Sequence, residues 1–309
     1  MTALAAVSSY LPDKRVPIEE PAARLGLTEM QVRVFRKYHK QSEVRLDPGG
    51  SLADLLRGAL AGLEGLRGHE RQVRYVLHAR TLPGIVPYPV HPIRDLCHEY
   101  GLGHAETLAV GQHACASGLL SIDIAGRLLA ADGDPDALAV VLAGEKTFTA
   151  EAQLVPQTSF LGEGAGACLV RADGDRDRLL AYSVDLRGEF GGDGAQLNPE
   201  FQEEYAGCLA AVISAAVERA GARMDQIGVI LPHSVNVIAW RRVCRRLAFP
   251  LADVVLDNVA SCGHVFCADH FINYRTARAR GLLQPGRRYV MAAAGGSGGG
   301  VFSAMVFQH

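Results

Sequence analysis

The sequence lacks an excess of charge of either sign. Its 309 residues contain 31 Lys and Arg against 33 Asp and Glu, which gives a formal net charge of −2. Proteins that bind nucleic acids neutralise phosphates with a surplus of positive charge, so this balance argues against that class. Long apolar runs are also missing, since the longest, such as residues 138–143, fall well short of the roughly 20 residues that span a bilayer. We therefore expect neither a nucleic acid nor a membrane as a partner.

Paired cysteine motifs are absent as well. The seven cysteines are an odd number scattered along the chain, and the first residues have neither the basic segment nor the apolar segment of a secretory signal. These features predict a reduced, cytoplasmic protein. Cys262, His264, Cys267 and His270 stand close together, but the spacing has no C-x-x-C pair and no second ligand pair elsewhere. We therefore expect no bound metal.

Short apolar or β-branched runs alternate with longer segments of helical period, a pattern typical of α/β proteins. The predicted strands are residues 73–79, 138–144, 166–171, 179–186, 227–232, 289–293 and 301–307. The predicted helices are residues 51–66, 117–131, 201–220, 237–247 and 269–281. The charged stretch 171–178 is the best candidate for a domain boundary, and a surface loop inside one domain fits it equally well.

Cys115 stands immediately before the predicted helix 117–131. A thiol at the start of a helix experiences the positive end of the helix dipole, which favours the thiolate and hence nucleophilicity. Most free cysteines are instead buried and inert, and Cys168 and Cys208 fit that description. The polar residues that precede Cys115 and its place at a helix start make it the candidate nucleophile.

Two histidines follow apolar runs. His233 comes directly after the predicted strand 227–232, where α/β sheets place ligands, and His264 comes after the apolar run 254–259. Either histidine alone is more often structural than catalytic. The glycines of residues 295–300 precede a strand rather than a helix, so they do not match a dinucleotide-binding loop. They fit a close approach of backbone to a ligand or an oxyanion.

Taken in order, these motifs resemble the thiolase superfamily, most closely the condensing enzymes of the β-ketoacyl synthase III type, over nearly the full length. The segment Ala-Cys-Ala-Ser-Gly begins at Ala114, Phe-Leu-Gly-Glu-Gly-Ala-Gly at Phe160, Pro-His-Ser-Val-Asn at Pro232 and Leu-Gln-Pro-Gly at Leu283, before the terminal glycine loop. The resemblance implies an α/β, thiolase-like five-layer αβαβα fold made of two similar halves, residues 1–171 and 172–309. It also implies a homodimer that forms through the first half.

The same resemblance implies ping-pong acyl transfer, in which Cys115 takes an acyl group from a thioester and an acceptor attacks the acyl-enzyme. The implied site comprises Cys115, His233 and His264 as catalytic residues, Gly296, Ser297, Gly298 and Asn236 as oxyanion and support residues, and Ile85 and Tyr88 as the lining of the acyl pocket. We expect no permanently bound cofactor, because the donor is a thioester of acyl carrier protein or coenzyme A.

The chain departs from the family pattern at His264, which stands where the family usually has a catalytic Asn. Elongating ketosynthases of the same superfamily use two histidines to decarboxylate a malonyl thioester, whereas other members altered at this position pass the acyl group to oxygen or nitrogen. We expect His233 to act in both half-reactions, and His264 to act as general base for the acceptor.

A second departure concerns coenzyme A, because the early Trp that the family stacks on adenine has no counterpart and Trp240 is the only Trp. A carrier-protein donor is therefore favoured, and Arg33, Arg36, Lys37 and Lys40 are a candidate contact for an acidic carrier protein, or simply a solvated helix face. The preferred hypothesis is an acyltransferase of natural-product biosynthesis. The alternatives are decarboxylative condensation with a malonyl thioester and, as a minor one, a non-catalytic partner subunit of a heterodimeric ketosynthase.

Overall fold

The computed structural model describes residues 2–84, 86–87, 89–191, 198–296 and 299–309. Four residues of the predicted site therefore lie outside the described part, namely Ile85, Tyr88, Ser297 and Gly298. The remaining predicted site residues are all described.

Thirteen strands occur within these ranges. They are β1 (Ala3–Tyr10), β2 (Arg15–Pro17), β3 (Glu43–Arg45), β4 (Val73–Ala79), β5 (Glu106–Val110), β6 (Leu138–Glu145), β7 (Leu154–Val155), β8 (Ser159–Phe160), β9 (Gly164–Arg171), β10 (Arg178–Arg187), β11 (Ile227–Pro232), β12 (Arg288–Gly295) and β13 (Gly300–Gln308). All eight residues of β6 are buried, as expected for a strand covered on both faces.

The described part of the chain also contains nine α-helices. They are α1 (Glu19–Arg24), α2 (Glu29–Val34), α3 (Leu52–Ala61), α4 (Pro92–Glu99), α5 (Ser117–Asp132), α6 (Pro199–Arg219), α7 (Val237–Leu247), α8 (Val259–Cys262) and α9 (Asp269–Ala279). Local signals in the sequence explain several helix starts. Ser51 and Asp54 form a capping box at α3, and Asn236 accepts a hydrogen bond from the backbone N–H of Ala239 at the start of α7.

Nine of the strands form one mixed sheet in the order β11-β12-β13-β10-β1-β9-β6-β4-β5. The neighbours β5, β4 and β6 run parallel, as do β11 and β12, and the other pairs are antiparallel. The pairing of β1 with β10 consists of one residue pair, Ala3 with Arg178. This narrow connection divides the sheet into a first wing (β1, β9, β6, β4 and β5) and a second wing (β10, β13, β12 and β11).

Helices α5 and α9 lie between the two wings. The central hydrophobic core joins Leu77 and Val141 of the first wing to Met291 and Met305 of the second. A second core packs α6 and α7 on the outer face of the second wing, and a third packs α3 on the outer face of the first. This order of helix, sheet, helix, sheet and helix confirms the predicted five-layer αβαβα fold. The division into units 1–171 and 172–309 stays a prediction.

All of the predicted strands and helices occur at the expected places, with shifts at their ends. The predicted helix 51–66 ends earlier, at Ala61, because Gly62 and two left-handed glycines, Gly65 and Gly68, follow it. The prediction missed β1 and β5 of the main sheet, the short strands β2, β3, β7 and β8, and the helices α1, α2, α4 and α8. The apolar run 254–259 forms no strand, since Val254 makes only a single bridge to Ile230.

One helical stretch, Ala114–Asp132, is long and apolar enough by composition to cross a membrane. More than half of it is buried inside the protein, and α5 packs between the two wings of the sheet. Its apolar character is therefore explained by its place in the core.

A buried carboxylate connects the segment between the wings to the end of the chain. Asp177 precedes β10 and accepts hydrogen bonds from the hydroxyls of Tyr274 at 2.6 Å and Tyr289 at 2.9 Å. Its Oδ1 also lies 2.7 Å from Nδ1 of His309, and its side chain is almost entirely buried. Three groups distant in sequence thus depend on one carboxylate.

We expect Asp177→Ala to lower the free energy of unfolding by about 2 to 4 kcal/mol, because two buried hydroxyls and one imidazole lose their acceptor. The matched control is Asp175→Ala in the same segment, since Asp175 is exposed and should change stability by less than about 0.5 kcal/mol. Urea unfolding followed by circular dichroism measures both. Equal losses in the two variants would contradict a specific role for Asp177.

Candidate active site

Cys115 lies in a 3-10 turn, Ala114–Ala116, that runs directly into α5. The backbone before it is strained, because Gln112 and Ala114 have φ angles of 66° and 46°, a region that residues other than glycine rarely adopt. Gly295 at the end of β12 packs against this turn, and a Cβ there would lie 2.6 Å from the carbonyl oxygen of His113. Only glycine permits this contact, so β12 holds the turn that presents Cys115.

His264 follows α8 and is held by the glycine-rich segment that begins at Phe160. Its backbone N–H donates to the carbonyl of Phe160 at 3.0 Å, and its own carbonyl accepts from Gly162 at 2.9 Å. Gly263 has a left-handed φ of 72°, and a Cβ there would lie 2.9 Å from the carbonyl oxygen of Phe160. The Phe-Leu-Gly-Glu-Gly-Ala-Gly motif therefore reaches the site indirectly, by fixing the backbone of His264.

The structure brings Cys115, His264 and Asp269 together in one line. His264 Nε2 lies 3.1 Å from Cys115 Sγ, and His264 Nδ1 lies 2.5 Å from Asp269 Oδ2. The carboxylate also accepts the backbone N–H groups of Ser234 and Val265, at 2.5 and 2.9 Å. Asp269 was not among the predicted site residues. Its signal in the sequence is modest, a carboxylate five residues after His264 at the start of a predicted helix.

The charges around His264 oppose the effect of its burial. Burial alone would lower the pKa of this imidazole, but the charges of Cys115 and Asp269, with a hydrogen bond to each, raise the pKa well above its ordinary value. The environment of His264 therefore favours the protonated imidazole ring beside the sulfur of Cys115. This is the arrangement that activates a cysteine nucleophile.

His233 faces the same cavity but does not contact the thiol. Its Nε2 lies 2.9 Å from the hydroxyl of Tyr205 on α6, and its Nδ1 lies 3.4 Å from the carbonyl oxygen of Ala292. Burial, and then the charge of His264, lowers the pKa of His233 well below its ordinary value. The expectation that His233 would serve the thiol therefore differs from the observed geometry, in which His264 occupies that position. No pattern in the sequence singled out Tyr205.

A cavity of about 340 Å³ opens onto these groups. Its lining includes Cys115, His233, His264, Tyr205, Phe201, Asn236, Arg242, His39 and Gly296. Asn236 donates from Nδ2 to the carbonyl of Thr158 at 3.1 Å and accepts from Ala239 through Oδ1 at 2.8 Å. Its amide thus supports the wall of the cavity, while Gly296 borders the cavity beside Cys115.

The other thiols differ from Cys115 in their environment. Burial raises the pKa of Cys97 and of Cys244 to about 11. Cys267 lies nearer the site, where its Sγ donates to the carbonyl of Ala114 at 3.2 Å, and burial, with the charges of Glu145 and Cys115, raises its pKa well above the usual value. These three thiols are therefore poorly suited to act as nucleophiles near neutral pH.

The Cys and His residues between positions 262 and 270 are of the types that bind metal ions. Among the residues that the structure describes, no three His, Cys, Asp or Glu side chains are arranged to hold a metal ion. His264 contacts Cys115 and Asp269, and His270 Nε2 lies 3.3 Å from the carbonyl oxygen of Ala292. These side chains therefore point to separate partners.

Comparisons with known proteins agree with this fold. Residues 217–309 match the family described as 3-oxoacyl-[acyl-carrier-protein (ACP)] synthase III C terminal. A β-ketoacyl-[acyl-carrier-protein] synthase III of Oleidesulfovibrio alaskensis is 26% identical, and the alignment covers 93% of each chain. The synthase III of Nitratidesulfovibrio vulgaris is 27% identical over 59% of this chain, and the matched part is 62% of the relative's length.

Solved structures show the same fold at low identity. A structure named ChlB3 and labelled an acyltransferase superposes with a TM-score of 0.84 at 18% identity, covering 99% of this chain and 97% of its own. The 3-oxoacyl-[acyl-carrier-protein] synthase III of Aquifex aeolicus VF5 superposes with a TM-score of 0.83 at 17% identity and covers both chains completely. With the five-layer fold, these similarities show that the chain has a thiolase-like fold and is similar to enzymes of the β-ketoacyl-[acyl-carrier-protein] synthase III type.

Proposed function

We propose that this chain is an acyltransferase that carries the acyl group as a thioester on Cys115 and passes it to a small hydroxyl or amino acceptor in natural-product biosynthesis. The observation that carries the proposal is the line of Cys115 Sγ, His264 and Asp269, joined at 3.1 and 2.5 Å. A thiolate with an imidazolium and a carboxylate behind it is suited to two successive acyl transfers.

In the first half-reaction, the thiolate of Cys115 attacks the carbonyl carbon of the donor thioester. The carbon–sulfur bond to the enzyme forms, the bond to the donor sulfur breaks, and the departing thiolate takes the proton from His264 Nε2. In this proposal the oxyanion of the tetrahedral intermediate accepts from the backbone N–H groups of Cys115 and Gly296, two residues that line the same cavity.

In the second half-reaction, the acceptor enters the cavity beside the acyl-enzyme. His264 is now neutral, and Asp269 keeps it basic, so it takes the proton of the acceptor as the acceptor attacks the acyl carbon. The bond between that carbon and Cys115 Sγ breaks and the thiolate returns. His264 thus serves both steps, and Asp269 orients its ring throughout.

Decarboxylative condensation with a malonyl thioester is the second candidate. It is favoured by the two histidine rings, whose centroids lie 5.9 Å apart beside one cavity, and by the similarity to named synthases. That reaction needs a second donor for the enolate oxygen besides His264, however, and here Nε2 of His233 lies 2.9 Å from the hydroxyl of Tyr205 and its Nδ1 lies 3.4 Å from the carbonyl oxygen of Ala292. Transfer to a hydroxyl or amine requires no such free donor.

A carrier protein fits the entrance of the cavity as the source of the acyl group. Helix α7 carries four exposed arginines, Arg241, Arg242, Arg245 and Arg246, and no acidic residue, and Arg242 also lines the cavity. Such a surface complements an acidic partner. A coenzyme A thioester remains the other donor in the proposal, and neither donor is a permanently bound cofactor.

The proposal includes a cytoplasmic homodimer. Strand β5 is the last strand of the sheet in the first wing, and the edge of a sheet is where another copy can pair. The intact line from Cys115 to Asp269 argues against the minor alternative of a non-catalytic partner subunit, because such a subunit has no need of a nucleophile.

We expect Cys115→Ala to abolish acyl loading and to leave the fold intact. The measurement is intact-protein mass spectrometry after incubation with acetyl and malonyl thioesters, each on coenzyme A and on carrier protein. Cys97→Ala is the control, since Cys97 is a buried thiol in α4 and this variant should load like the wild type. An acyl adduct on the Cys115→Ala variant would sink the assignment of the nucleophile.

The acceptor chemistry is tested on the loaded enzyme. We expect a malonyl thioester to release no carbon dioxide, and hydroxyl or amino acceptors to remove the acyl group from Cys115. Release of carbon dioxide with a β-ketoacyl product would establish the condensing alternative. Failure of every donor to load the wild type would favour the non-catalytic subunit.

Asp269→Asn should slow loading roughly a hundredfold, because the ring of His264 loses its charged partner. The high-pH limb of the rate profile should move to lower pH, since the carboxylate raises the pKa of His264 and the amide does not. Single-turnover loading measured from pH 5 to pH 10 tests both effects. Thermal unfolding checks that the variant is folded, and a profile with an unmoved upper limb would contradict the role of Asp269.

A further inference from the structure

The hydrogen bond between Tyr205 and His233 has a direction that the surroundings determine. Ala292 offers a carbonyl oxygen to His233 Nδ1 at 3.4 Å, and a carbonyl only accepts hydrogen bonds. This contact favours the neutral tautomer in which Nδ1 carries the proton and Nε2 presents a lone pair, although the same oxygen also accepts from the backbone N–H of His233 and lies 3.3 Å from His270 Nε2. The hydroxyl of Tyr205, 2.9 Å away, must then donate to Nε2.

This direction leaves the oxygen of Tyr205 as a hydrogen-bond acceptor. Its single proton is committed to His233, while its lone pairs remain. Tyr205 lines the same cavity as Cys115 and His264, and its ring is held edge-on by Phe201 and Phe302, at centroid distances of 5.9 and 6.2 Å. The hydroxyl oxygen of Tyr205 is thus a hydrogen-bond acceptor at a fixed position in the cavity wall.

We propose that Tyr205 is a specificity-determining residue, whose hydroxyl oxygen accepts a hydrogen bond from an acceptor that carries an O–H or N–H group. The inference rests on the proposed function and names the chemical class of its second substrate. An amine donates one hydrogen to Tyr205 and another to His264, and it presents its lone pair to the acyl carbon. A hydroxyl has one hydrogen, so it donates to Tyr205 as it enters and to His264 as it attacks. The malonyl group of a malonyl thioester offers only carbonyl and carboxylate oxygens, which meet the lone pair of Tyr205 unfavourably.

His233 acts in this inference as a positioning residue. It is buried, its backbone carbonyl accepts from Trp240 Nε1 at 2.9 Å, and its backbone N–H donates to Ala292 at 3.0 Å. The backbone of His233 is therefore fixed by hydrogen bonds through both its N–H and its carbonyl group. It keeps the proton of Tyr205 turned away from the cavity.

The test compares the wild type with Tyr205→Phe after each has been loaded on Cys115 with an acetyl thioester. Loading rates should be equal, since the donor step uses Cys115 and His264. The second-order rate constant for discharge by hydroxylamine should fall about tenfold or more in Tyr205→Phe, because the acceptor loses its hydrogen-bond partner. The rate measured with unfolded acetyl-enzyme is subtracted as the uncatalysed reaction.

The matched control is Tyr182→Phe. Tyr182 lies on β10, its hydroxyl lies 3.4 Å from the hydroxyl of Ser303 on β13, and it is not part of the cavity lining. It should load and discharge like the wild type. His233→Ala should show the discharge defect of Tyr205→Phe, and the double variant should lose little more than the larger single loss, because both act through one hydrogen bond.

The outcomes separate the inference from the proposed function. If the wild type and Tyr205→Phe load equally and discharge equally, the inference is wrong and the proposed function stands. If Tyr205→Phe loads slowly but discharges normally, Tyr205 belongs to the donor step and the inference is also wrong. If the wild type accepts no acyl group from any donor, the proposed function fails and the inference fails with it.

Discussion

Cys115 and His264 lie 3.1 Å apart in the interior of the protein, and a charge on either must be balanced there by the other and by Asp269. A charge removed from water is costly unless it is paired and hydrogen-bonded. The three side chains meet this requirement as a chain of contacts. The thiol contacts the imidazole, the imidazole contacts the carboxylate, and the carboxylate accepts hydrogen bonds from the backbone N–H groups of Ser234 and Val265. The backbone segments around Cys115 and His264 hold the three side chains in this arrangement.

Three of the seven residues other than glycine that have left-handed φ angles in the described chain lie beside these groups. Gln112 and Ala114 adopt left-handed angles just before Cys115, and Phe266 does so just after His264. Residues other than glycine hold such angles only where the surrounding packing imposes them. Here β12 presses on the turn of Cys115 and the Phe160 segment holds the backbone of His264. Gly263 and Gly295 therefore support the site through the backbone contacts that they permit.

The two histidines differ because their neighbours differ. The pKa of His264 is raised by its electrostatic interactions and hydrogen bonds with Cys115 and Asp269, whereas His233 is buried beside a carbonyl, a phenol and other imidazoles, and its pKa is lowered. One ring is thus prepared to hold and release a proton, and the other to remain neutral. The same residue type supplies both behaviours, and only the surroundings assign them.

The sequence by itself determined the α/β class and the positions of seven of the nine strands of the main sheet, and it singled out Cys115, His233 and His264 as candidates for the site. The hydrophobic period and the turn residues indicate the strands and helices locally, and the order of the motifs indicates the resemblance to a family. It did not reveal Asp269 or Tyr205, because a carboxylate at a helix start and a tyrosine within α6 are ordinary features until the chain folds. Which histidine meets the thiol was likewise decided only by tertiary structure, since 149 residues separate Cys115 from His264 and packing alone sets the distance between their side chains.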